Sequence, residues 1–121
     1  MALGRTIISM NEEPVNRSVE LSIQLHRAVL PFLRQNWASS QQIIRENLVK
    51  QRNLVHSPVA LGWIEEWEQA TNAGPDAIEA IALQRGERGD DLRQMTPLSG
   101  ILPNLERWRV VREVQRATQG S

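Results

Sequence analysis

The chain has 121 residues, 40% of them hydrophobic, with 14 basic and 14 acidic side chains and a formal charge of zero. That length fits one domain with a buried core, and the balanced charge withholds the bulk attraction that holds many proteins to nucleic acid. With no cysteine, a disulfide framework, a thiolate nucleophile and a cysteine-built zinc site are all excluded.

Residues 1–13 show no hydrophobic period and run into the polar break Asn11-Glu12-Glu13-Pro14. We read them as a flexible arm, with the domain spanning 14–121. No apolar run there is long enough for a signal peptide, and none in the chain approaches the roughly 20 residues of a membrane span. The expectation is a cytoplasmic protein with no membrane partner.

From Asn16, a cap residue, apolar side chains recur at Val19, Ile23, Leu30, Leu33 and Trp37, the spacing of a first helix. Pro31 sits inside it and predicts a kink or split near Leu30. Ser39-Ser40-Gln41-Gln42 has the form of a capping box and opens a second helix with Ile43, Ile44, Leu48 and Val55 facing inward. Ser57 as cap and Pro58 as first residue launch a third, with Val59, Trp63, Ile64, Trp67 and Ala70 on its core side. After the turn Asn72–Asp76 comes a short fourth helix through Ile78, Ile81 and Ala82, loosened by Gly86 and Gly89, then a helical fragment from Asp90 to Met95.

Thr96-Pro97 breaks the helix and Ser99-Gly100 turns the chain, leaving Leu98, Ile101 and Leu102 to plug the loop into the core. The last helix, about Leu105 to Thr118, has Leu105, Trp108, Val111 and Val114 or Gln115 on one side and Arg107, Arg109, Arg112 and Arg116 on others. No stretch alternates with the period of a strand. The fold class expected is all-α, an irregular or orthogonal bundle of five to six helices in a single domain.

The inventory for catalysis is thin. The two histidines, His26 and His56, have structural explanations, tyrosine is absent, and there is no HExxH, phosphate loop, G-x-S-x-G or calcium loop. Glu65, Glu66, Glu68 and Glu79 offer carboxylates, but neighbours on a helix diverge by about 100° and read as solvated surface. We expect no catalytic, cofactor or metal site, and a chain that binds rather than catalyses.

Charge is unevenly spread: between Glu65 and Asp91 eight acidic residues stand against two arginines. This stretch suits a basic partner, although solvated helix faces give the same pattern. The second and third helices resemble a helix-turn-helix, but a reading helix exposing Glu65, Glu66 and Glu68 would be repelled by phosphates. Arg27, Arg34, Arg45, Lys50 and Arg52 form the alternative, a basic face for nucleic acid on the first two helices. Of the four tryptophans, Trp63 and Trp67 fall on a core stripe, and Trp37, beside the expected break, is the one placed for a partner pocket.

The segment Leu92-Arg93-Gln94-Met95-Thr96-Pro97-Leu98-Ser99-Gly100-Ile101-Leu102-Pro103-Asn104-Leu105-Glu106-Arg107-Trp108 resembles a C-terminal signature of small helical bacterial proteins from toxin–antitoxin-type gene pairs. Leu25-His26-Arg27-Ala28-Val29 and Trp63-Ile64-Glu65-Glu66-Trp67 are similar to other elements of that group, so the likeness spans most of 21–113. Leu98 stands where an aromatic is usual, Ser99 for a smaller residue, and Leu102-Pro103-Asn104 for a Ser-Pro helix start. The resemblance implies an antitoxin that neutralises or regulates a toxin partner of nucleotidyltransferase type. The partner-binding residues expected are Glu65, Glu66, Glu68, Trp37, Leu98, Arg93 and Arg107, with a homodimer as the other association. Arg93 or Arg107 also reads as a clasp on the Pro97 turn, whose carbonyls lack helical partners.

Overall fold

Asn16 caps a helix as expected: its Oδ1 accepts from the backbone N–H groups of Ser18 and Val19 at 3.0 and 3.2 Å. The computed structural model describes residues 16–119, and the arm expected over 1–13 lies outside the described residues. Among the described residues there are six helices, in order: α1 (Arg17–Gln35), α2 (Trp37–Leu54), α3 (Pro58–Ala73), α4 (Pro75–Ala82), α5 (Glu87–Gln94) and α6 (Asn104–Gln119). Among the described residues there is no strand, and the all-α bundle expected from periodicity is the fold.

Pro31 does not split α1, which runs unbroken to Gln35. Pro31 is exposed while Leu30 and Leu33 are buried, so the ring lies on the solvent side and the core grips the helix on both sides of it. The break falls instead at Asn36, the single residue between α1 and α2. Asn36, not Ser39, caps α2, its Oδ1 accepting from the Ser39 N–H at 3.3 Å. The Ser39–Gln42 capping box does not form: Gln42 donates to Glu46 at 3.0 Å, and Ser40 is buried one turn into the helix. Ser57 and Pro58 open α3 as read, with Ser57 Oγ accepting from the Ala60 N–H at 3.2 Å.

The core is built around Trp67, fully buried with Leu33, Ile44, Ile64, Ile78 and Leu92. Its indole N–H donates to the Leu92 carbonyl oxygen at 2.8 Å, which satisfies the one polar atom that so large a buried ring brings inside. Thr71 Oγ1 donates to the Trp67 carbonyl at 2.7 Å, and Gln41 Nε2 donates to the Thr71 carbonyl at 3.1 Å, so α2, α3 and α5 are tied together around that ring. α1 lies along α6 and against α4, while α3 packs on α2 and α4.

Two apolar assignments are corrected. Val59 is exposed at the start of α3. On α6, Leu105 is 83% and Trp108 64% exposed, while Val110 and Val114 are the buried residues. Those two valines lie roughly opposite Leu105 on a 3.6-residue helix. The α1 groove takes the small β-branched residues and leaves the larger side chains outside.

Candidate functional site

The loop 95–103 is anchored from one side by α2. Asn47 Nδ2 donates to the carbonyl oxygens of Pro97 and Ser99 at 2.8 and 2.9 Å, and Gln51 Nε2 donates to that of Thr96 at 2.9 Å. Pro97 and Leu98 are buried, so Leu98 is a plug, as its loop position predicted, and offers a partner no exposed surface. Neither amide stood out in the sequence, although two amide side chains four residues apart beside the buried Leu48 carry the signal of an inward-facing polar pair.

Arg93 is 3% exposed and is a clasp. The carbonyls it holds differ from those expected: its guanidinium donates to Ala82 O at 3.2 Å, to Gln84 O, and to Asp90 Oδ1 at 2.5 Å. It therefore closes the end of α4 onto α5 and leaves the Pro97 turn to Asn47 and Gln51. Arg107 is exposed and holds neither. Gly89 completes the α4–α5 junction, since a β-carbon there would overlap the Gln84 carbonyl oxygen.

Most of the expected acidic surface is spent inside the molecule. Glu66 pairs with Arg88 at 2.5 Å, Glu68 with Arg52 at 2.6 Å, and Asp76 and Glu79 with Arg34 at 2.9 and 2.6 Å. Hydrogen bonds donated to the carboxylates raise the proton affinity of each of these guanidinium groups; for Arg34, the bond to Glu79 contributes most, then that to Asp76. Glu65 remains exposed. The basic face is divided in the same way: all five side chains are exposed, but Arg34 and Arg52 are in ion pairs and Arg27 donates to Gln24 at 3.4 Å. Trp37 is half-buried against the core as the first residue of α2.

Large apolar side chains are exposed at Val49 and Leu54 on α2, at Val59 on α3, and on the outer side of α6. Leu105, Trp108, Arg112 and Arg116 follow one another at helical spacing along its solvent face. Arg109 beside them is held by Glu106 and Glu113. The guanidinium groups of Arg112 and Arg116 make no hydrogen bond or ion pair among the described residues.

A second feature lies between α1 and the inner side of the loop: a cleft of about 590 Å³. Leu21, Leu25, Val29, Leu98 and Leu102 form apolar walls, Arg107 stands at its edge, and no carboxylate lines it. His26, 8% exposed, is among its lining residues; its Nδ1 donates to the Ser22 carbonyl at 2.7 Å, which leaves Nε2 as the acceptor, and Nε2 is buried without a protein partner. Burial holds the imidazole below its usual proton affinity; the Ser22 bond opposes this and the nearby Arg93 charge adds to it. Arg93 Nε is likewise buried without a partner.

Among the described residues no helix is long and apolar enough to cross a membrane, and no group of three or more His, Cys, Asp or Glu has the arrangement to hold a metal ion. No family model, curated protein or solved structure matches the chain.

Proposed function

We propose that the chain is a non-catalytic protein-binding module whose partner docks on the outer face of α6. Trp108 enters an apolar pocket of that partner, Leu105 packs beside it, and Arg112 and Arg116 meet carboxylates at the rim. The observation that carries this reading is the exposure of Trp108 and Leu105 on a helix whose other side is already packed on α1. Trp and Arg dominate binding hot spots, and an exposed indole gains about 25 cal/mol for each Å² of apolar surface that a partner covers. Of the roles open to such a module we carry forward the antitoxin-like one, with a toxin as the partner, on the signature in residues 92–108.

Nucleic acid is the weaker reading, since the Arg27–Arg52 face has given Arg34 and Arg52 to intramolecular pairs. The test is retention of a partner protein from extracts of the source organism by the immobilised chain, repeated with Trp108→Ala, Arg112→Glu and the control Lys50→Glu, each checked for helicity. Loss on the first two and retention on the third is expected. A partner held equally by Trp108→Ala overturns the α6 reading, and a complex lost steeply with salt points to phosphate contacts instead. Relief of growth arrest when the retained protein is co-expressed with the chain tests the antitoxin role separately.

A further inference from the structure

The cleft between α1 and loop 95–103 has a polar composition that packing does not explain. Its volume, about 590 Å³, lies within the roughly 300–1,000 Å³ of small-molecule sites, which are characteristically apolar with a few placed polar groups. Burying a hydrogen-bonding atom without a partner costs about 1–3 kcal/mol. Two such atoms occur here, an acceptor at His26 Nε2 and a donor at Arg93 Nε, both on residues that line the cleft. The Ser22 carbonyl holds Nδ1 as the donor, which leaves the Nε2 lone pair unused. His26 and Arg93 are the deep residues, and Arg107 is the exposed one, its guanidinium making no hydrogen bond or ion pair among the described residues.

We propose that this cleft binds a small amphipathic molecule with a hydroxyl at one end and a carboxylate at the other. A hydroxyl both donates and accepts, and is placed here against the His26 Nε2 acceptor and the Arg93 Nε donor. The apolar body lies along Leu21, Leu25, Val29, Leu98 and Leu102, and the carboxylate meets the Arg107 guanidinium at the edge, where no acidic side chain competes. His26 Nε2 and Arg93 Nε are shielded from solvent in this structure, so the hydroxyl reaches them by a small outward movement of the lining side chains. The α6 docking face plays no part in this site, and either proposal stands without the other.

The experiment is calorimetric titration of the full chain with 10-hydroxydecanoate, decanoate and 1-decanol, together with backbone and imidazole NMR shifts on adding 10-hydroxydecanoate. We expect 10-hydroxydecanoate to bind about ten-fold or more tightly than either analogue, with shifts centred on His26, Leu98, Leu102 and Arg107. His26→Phe removes the preference for the hydroxyl while keeping the affinity for decanoate, and Arg107→Gln weakens both acids alike. Trp108→Ala changes neither and controls for adsorption on the α6 face. Equal affinity for decanoate and 10-hydroxydecanoate, no binding at millimolar concentration, or shifts confined to α6 would each overturn the assignment. The wild-type titration and shifts decide the matter even if a variant fails to fold.

Discussion

Asn47, in the middle of α2, donates through Nδ2 to the carbonyl oxygen of Pro97 at 2.8 Å, fifty residues further along the chain. Pro97 interrupts helical bonding, so its buried carbonyl has no partner from the regular backbone. Asn47→Ala leaves that oxygen unpaired and lowers stability by about 1–3 kcal/mol. Asn47→Asp sets a carboxylate against two carbonyls and is expected to cost more. Denaturant midpoints of the two variants check the order; an alanine variant as stable as the parent would remove the clamp from the account.

Arg93 makes the parallel case at the α4–α5 junction, where its guanidinium serves Ala82, Gln84 and Asp90. Removing one partner of a buried charged cluster costs about 3–5 kcal/mol, so Arg93→Ala is expected to unfold at markedly lower denaturant. Arg93→Lys recovers only part of this, since an ammonium cannot reproduce the planar fork. Gly89→Ala in the same junction pushes against the Gln84 carbonyl and is expected to cost about 1–3 kcal/mol. Thermal melts of all three rank these effects, and a Gly89→Ala chain at parental stability would show that α5 shifts freely on α4.

How much of this the sequence made legible depends on whether the signal is local. Asn16, Ser57 and Pro58 act within three residues of themselves, and all three mark helix starts where they were read. The Pro31 break and the Ser39 cap failed because tertiary packing decides them: Leu30 and Leu33 hold α1 together, and the chain had already turned at Asn36. Arg93 or Arg107 was read as a clasp because the Pro97 turn leaves carbonyls without helical partners, but which arginine is buried and which carbonyls it holds depend on how α4 meets α5. On α6 the expected stripe is buried at Val114 but not at Leu105 and Trp108, because periodicity reports a stripe without saying which side of it the neighbouring helix will accept. His26 was read as structural, and its unused Nε2 emerges only once Ser22 is seen to hold Nδ1.

His26 gives the stability a pH dependence of definite sign. Burial first, with the Arg93 charge adding, holds its proton affinity in the folded chain below that in the unfolded one, near 6.5, while the Ser22 hydrogen bond opposes the shift. The unfolded state therefore binds the proton more readily. The stabilisation is fully present above about pH 6.5 and is lost as the pH falls from there toward the lowered folded-state value. His26→Phe is expected to flatten that part of the stability profile. Urea midpoints between pH 7.5 and pH 5 in both chains test this, and an unchanged slope in the variant would assign the acid sensitivity to the carboxylates.

Trp67 and Trp108 separate stability from surface in one comparison. Trp67 is fully buried with its indole N–H bonded to Leu92, whereas Trp108 is 64% exposed. Trp67→Phe leaves the Leu92 carbonyl without that donor as well as a smaller ring in the core, and is expected to cost about 2 kcal/mol or more. Trp108→Ala is expected to change stability by no more than about 0.5 kcal/mol, as surface substitutions do, and to remove the component of the fluorescence that acrylamide quenches readily. The two readouts discriminate between packing arrangements of α6. If Trp108→Ala instead destabilised the chain by several kcal/mol, the indole would belong to the core, Val110 and Val114 would not be the residues facing α1, and the docking face would lose its anchor.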